Sequence, residues 1–127
     1  MNYHVMMKEY KDADILSKVD GSSKHEFIQI VLEELHYNLK VLVEAISNEG
    51  KLSKNKSRSF SKIITSLMIL MDSLDFDKGK KIADNLYSLY DYCRRQVLDC
   101  YKNQTIEGLN SSINVIDDIL SAWKQIK

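Results

Sequence analysis

The sequence predicts an all-α protein, an antiparallel up-down-up-down four-helix bundle over residues 21–127 with an irregular N-terminal arm over residues 1–20. Three observations carry this. Proline is absent and glycine occurs four times in 127 residues, too little turn chemistry for the many tight turns of a sandwich or barrel. The glycines fall at Gly21, Gly50, Gly79 and Gly108 and divide the chain into a head and four stretches of similar length. Within each stretch apolar residues recur at intervals of three and four, the period of a helix with one buried face. The stretches share little residue identity, so the spacing reads as four helices of similar length and not as copied repeats.

The first helix starts at the Ser22-Ser23 cap, where a hydroxyl can accept from an orphan backbone N–H and Glu26 stands three residues on, as in a capping box. It runs to about Asn48 and buries Ile28, Val31, Leu35, Leu39, Leu42 and Ile46. The second begins between Ser53 and Ser57, with Phe60, Ile63, Ile64, Leu67, Leu70 and Leu74 inward. The third follows near Lys78 to Lys81 with Asp77 as N-cap, and places Ile82, Leu86, Leu89, Cys93, Val97 and Cys100 inside. The fourth starts at Thr105 and has the most regular seam, Ile106, Leu109, Ile113, Ile116, Leu120 and Trp123. Loops this short force neighbouring helices to run antiparallel. Residues 1–20 lack sustained periodicity and form an arm or a strap on the bundle.

Composition narrows the function. With 44% hydrophobic and 28% charged residues the chain is a single folded domain. Its 18 Lys+Arg balance 18 Asp+Glu, which removes the global basic field of a nucleic-acid binder. Lys51, Lys54, Lys56, Arg58 and Lys62 form a local basic run without aromatic platforms, read as a solvated loop leading into the second helix. No run is long and apolar enough for a secretory signal or a membrane span, so a cytoplasmic protein is expected. Cys93 and Cys100, seven apart on one helix, are separated by roughly 10 Å and are expected as free thiols.

Catalytic and metal readings find little support. Glu33-Glu34-Leu35-His36 contains the Glu-x-x-His of a di-iron bundle, but such a site needs a second copy and carboxylates from other helices. The second helix has no acid between Ser53 and Met71, leaving His36 as a surface histidine beside two surface acids. Both cysteines read as small buried hydrophobes. Neither enzyme activity nor a nucleotide or metal cofactor is expected.

The stronger signal is apolar surface beyond one stripe per helix. Ile30, Tyr37 and Val41, then Met68, Ile69 and Met71, then Tyr87, Tyr90 and Tyr101 lie off the main seams. Singly, each could widen the core or pack under the arm; as a set they point to a groove that takes an amphipathic helix.

At the third helix the chain resembles a known family. Ser73-Leu74-Asp75-Phe76-Asp77-Lys78-Gly79 and Ile82-Ala83-Asp84-Asn85-Leu86-Tyr87-Ser88-Leu89-Tyr90-Asp91-Tyr92-Cys93-Arg94-Arg95 closely resemble the flagellin export chaperones, the FliS family. Tyr10-Lys11-Asp12, His25-Glu26-Phe27-Ile28-Gln29, Asn103 and Ala122-Trp123-Lys124 extend the similarity over most of the chain. The resemblance implies a cytoplasmic, non-enzymatic four-helix bundle that holds the C-terminal helical segment of flagellin, prevents premature polymerisation and delivers it to the type III export gate. It implies an N-terminal arm covering part of the binding surface in the free state. It nominates Leu86, Tyr87, Leu89 and Tyr90 as groove residues or their support, joining Tyr10, Ile30, Met68, Ile69 and Met71 as the partner-binding set. Asp91 with Arg94 or Arg95 is read as a helix-surface ion pair. A charge at Ile69 or Tyr87 is expected to weaken binding in a bundle that still folds. Where the family has a proline and a glycine-alanine pair, this chain has Ser23-Lys24 and Glu34-Leu35, so Glu34 faces solvent or spreads the packing. The rival reading is an adaptor or structural bundle binding some other amphipathic helix.

Overall fold

The computed structural model describes residues 23–50 and 53–126. The expected arm, with Tyr10, lies outside the described residues. Four helices follow one another: α1 (Lys24–Asn48), α2 (Lys54–Asp72), α3 (Phe76–Asn103) and α4 (Glu107–Gln125). Each packs against two neighbours, α1 on α2 and α4, and α3 on α2 and α4. This is the closed square of an up-down-up-down bundle.

The core is built from the helical stripes. Phe27, Val31, Leu35, Leu39 and Leu42 of α1 meet Ile63, Leu67 and Leu70 of α2, Cys93 and Val97 of α3, and Leu109 and Ile116 of α4. Each such leucine or isoleucine stabilises the fold by ~1.5–3 kcal/mol through area removed from water. Polar and ring contacts fix the register at the edges. Phe60 of α2 stacks on Tyr101 of α3 with centroids 4.0 Å apart, and the Tyr92 and Ser111 hydroxyls join α3 to α4 at 2.7 Å. Gly108 lets α4 close on α3, because a Cβ there would run into Gln96 and the Cys100 sulfur.

The caps explain the helix ends. The Ser23 hydroxyl accepts from the Glu26 N–H at 3.2 Å, the cap expected for the first helix, and the Ser53 hydroxyl accepts from the Lys56 N–H at 3.3 Å. The Glu49 carboxylate binds Ser53 and Asn55 across the first connection. The third helix begins earlier than expected. Asp75, not Asp77, is its N-cap, with Oδ1 accepting from the Asp77 and Lys78 N–H groups at 3.0 Å each. Gln104 closes α3 in the left-handed conformation (φ 57°, ψ 45°). The fourth helix starts at Glu107, two residues after the expected Thr105, and Ile106 gives it no side-chain cap.

The inner face of α3 also differs from the expected one. Ala83, Tyr90, Cys93, Val97 and Cys100 are buried, whereas Ile82 is 70% exposed and Leu89 39% exposed. The series 83, 86, 90, 93, 97 and 100 has the same three-and-four spacing as the series expected from sequence, turned by part of a helical step. Two further expectations are corrected by burial. Glu34 is not a surface acid but buried beside Leu35, and Lys54, Lys56, Arg58 and Lys62 of the basic stretch belong to α2, with Lys56 only 4% exposed, while Lys51 lies outside the described residues. The Lys56 ammonium donates to Gln104 Oε1 at 2.7 Å, which compensates its removal from water.

Candidate functional site: two apolar grooves

Two apolar grooves open on the outside of the bundle. The first, of about 370 Å³, lies at the end where α1 begins and α4 finishes. Ile28, Leu74, Ile82, Leu86, Tyr90 and Trp123 are among its walls. The second, of about 390 Å³, runs between α2 and α3 and is formed by Ile64, Met68, Met71, Tyr87 and Leu98, with Asp72 and Arg94 as its charged members. The grooves adjoin in sequence twice, the walls passing from one to the other between Asp72 and Ser73 and again between Leu86 and Tyr87.

The bundle-end groove is held by a clasp between the chain's first and last helices. The Trp123 indole N–H donates to the His25 carbonyl at 3.1 Å, and His25 Nε2 lies 3.2 Å from the Trp123 carbonyl oxygen. The two rings stack at 4.8 Å. Tyr90 forms the floor, and burial pushes its phenol pKa far up, so it stays neutral. Beneath it, burial raises the Cys93 thiol to about 11, with the Ser112 hydroxyl beside it pulling weakly the other way. Cys93 and Cys100 are both free and buried.

The α2/α3 groove is likewise walled mostly by apolar side chains. Met68 is 45% exposed, and Tyr87 carries the edge of the Phe76 ring at 6.1 Å. Arg94 is anchored to Asp91 at 2.6 Å and Arg95 reaches the same carboxylate at 3.2 Å, the ion pairs expected from spacing. Hydrogen bonding from Arg94 holds the Asp91 carboxyl below its ordinary pKa. A third, larger recess of about 580 Å³ between α1 and α2 is polar, walled by Glu33, Glu34, Arg58 and Lys62.

The partner-binding residues expected from sequence are thereby distributed. Met68, Met71 and Tyr87 share the α2/α3 groove, and Leu86 and Tyr90 share the bundle-end groove. Ile69 is a correction: at 2% exposure it belongs to the core and not to the surface. Ile30 packs against the core, and Leu89 is exposed but lines neither groove. Sequence reasoning missed Ile64, Leu98 and Trp123 as groove walls. Leu98 had a signal, standing eleven residues from Tyr87 and four from Arg94 on one helical face. His36 is half-buried, its Nε2 3.5 Å from Asp117, and burial together with Lys40 lowers its pKa. Among the described residues no group of three or more His, Cys, Asp or Glu could hold a metal ion, and no helix is long and apolar enough to cross a membrane.

A closed helical bundle with apolar grooves on its outer face is the architecture of proteins that take up apolar helical segments of other chains. The particular family follows from comparison with known proteins. The family model described as "Flagellar protein FliS" matches residues 6–127. The chain is 29% identical over 121 residues to the flagellar secretion chaperone FliS of Salmonella typhimurium, covering 94% of this chain and 88% of the relative. It is 26% identical to the flagellar secretion chaperone FliS of Vibrio cholerae, covering 94% and 87%. With the flagellar secretion chaperone FliSB of Pseudomonas aeruginosa the identity is 24%, over 94% of each. The chain belongs to the FliS flagellar secretion chaperone family.

Proposed function

We propose that the protein binds the C-terminal helical segment of flagellin in the cytoplasm, keeps it from polymerising and hands it to the export gate of the flagellar type III apparatus. The observation that carries this is the pair of adjoining apolar grooves, one of them lined by Met68, Met71 and Tyr87, in a chain of the FliS family. The chemistry is sequestration. An amphipathic flagellin helix laid against thioether and aromatic side chains buries the same apolar stripe that would otherwise pair with another flagellin. No bond is made or broken, so neither nucleotide nor metal is required.

Met68, Met71 and Tyr87 would contact the client, Leu86 and Tyr90 would wall the neighbouring groove, and Ile69 would support Met68 from the core. Methionine suits this task because its flexible side chain adapts to an irregular partner. Ordering of the client offsets part of the gain from burial, so affinity depends on both grooves being used.

Calorimetric titration with a peptide from the last roughly 40 residues of flagellin tests the proposal, because apolar burial gives a negative heat-capacity change together with saturable binding. Tight binding at one peptide per chain is the expected result. Absence of binding would replace flagellin by another amphipathic helix, the adaptor reading.

A further inference from the structure

We propose that residues 75–79 form a flap, hinged at Lys80 and latched by Phe76 on Tyr87, whose lifting joins the two apolar grooves into one continuous track. The hinge is visible in the backbone. Lys80 has φ 46° and ψ −117° inside α3, the conformation of the first central residue of a type II′ turn, where glycine dominates. A lysine there is strained, and strain of this kind collects at clamps and switch regions. Gln104, the other described non-glycine residue with positive φ, instead sits in the ordinary left-handed basin that ends helices.

Ser73 and Leu74 stay with α2, the Ser73 N–H donating to the Ile69 carbonyl at 3.0 Å, its hydroxyl to the Leu70 carbonyl at 2.7 Å, and Leu74 packing against the core, so the flap begins at Asp75. Asp75 caps it through the Asp77 and Lys78 N–H groups, and the Gly79 N–H closes it on the Asp75 carbonyl at 2.7 Å. Gly79 is needed for the close approach on the far side, since a Cβ there would meet the Ala83 Cβ at 3.0 Å.

Beyond Leu74 little holds the turn down. Phe76, Asp77 and Lys78 are exposed, and the ring contact of Phe76 with Tyr87, edge-on at 60°, is its outer attachment. Yet its position is strategic. Leu74, Asp75 and Gly79 wall the bundle-end groove, whereas Tyr87, under Phe76, walls the α2/α3 groove. The flap thus stands where one groove gives way to the other. What would use the joined track rests on the flagellin-binding reading; the hinge does not.

Amide hydrogen exchange on the free full-length chain, with thermal unfolding of variants, tests the hinge. Residues 76–81 should exchange faster than residues 86–100. Phe76→Ala should speed exchange at 76–81 by roughly fivefold, the ratio that an aromatic edge contact supplies. Lys80→Gly should melt above Lys80→Ala, inverting the order found inside an ordinary helix, where glycine is the worse residue. Equal protection along α3, unaffected by Phe76→Ala, or the ordinary alanine-over-glycine order, would overturn the hinge. With the flagellin peptide added, protection should change at 76–81 and in both grooves. Protection confined to one groove, with 76–81 unchanged, would overturn the joined track. A peptide that does not bind at all would sink the client reading while the exchange and melting order still decide the hinge.

Discussion

Trp123 and His25, 98 residues apart in the chain, hold each other reciprocally: the indole N–H donates to the His25 carbonyl while the two rings stack at 4.8 Å. The clasp ties the start of α1 to the end of α4 and forms one wall of the bundle-end groove. Trp123→Phe keeps a ring to stack and loses the donor, so it should cost about 1 kcal/mol, measured by denaturant unfolding followed by circular dichroism. Since Trp123 is the only tryptophan, its emission in the wild-type protein reports on the groove. A client segment that enters should shift it to shorter wavelength as water is excluded; unchanged emission at saturating flagellin peptide would place the client elsewhere.

Neighbouring residues on α2 should respond oppositely to the same charge. Ile69→Asp places a carboxylate at a site 2% exposed and should cost ~3 kcal/mol or more of stability. Met68→Asp lies at the groove mouth and should leave stability within about 0.5 kcal/mol while weakening peptide binding about tenfold. Unfolding curves and peptide titrations on both variants check this, and a stable Ile69→Asp protein would contradict the burial.

The Lys56 ammonium and Gln104 Oε1 should prove energetically coupled. Gln104→Ala leaves a buried ammonium without its 2.7 Å acceptor and should cost about 1–3 kcal/mol. Lys56→Met removes the charge, so adding Gln104→Ala to it should cost much less. A double-mutant cycle that comes out additive would show that water already serves the ammonium.

Acid should weaken the fold in two stages. Burial and Lys40 lower the His36 pKa from 6.5, with Lys124 adding to them and Asp117 opposing. The folded chain therefore resists a proton that the unfolded chain accepts. This contribution is complete above pH 6.5 and is lost as pH falls through the lower folded value. Asp75, held below its ordinary 3.8 first by the Lys78 N–H, behaves likewise at lower pH. Urea midpoints between pH 8 and 3 should show both declines. His36→Gln should remove the first, and Asp75→Asn should keep the cap while reducing the second.

Helix positions were legible because periodicity and caps are local. The Ser23 cap, the end of α1 at Asn48 and the α1 stripe from Ile28 to Leu42 stand where the residues themselves require them. So does the ion pairing of Asp91 with both arginines, which needs only the spacing of one helix. The family resemblance likewise rested on a continuous motif.

Tertiary structure decided which side of a stripe faces inward and where gaps remain between helices. On α3 the series through Ile82 and Leu89 and the series through Ala83 and Tyr90 have equal helical spacing. Packing against α2 and α4 selects the second and leaves Ile82 and Leu89 exposed. Adjacent Met68 and Ile69 differ by about 100° around the helix axis, and only the neighbouring helices make one a groove wall and the other core. A groove is a property of two helices together, so no single stripe contains it, whereas the helix that supplies each wall is written in its own residues.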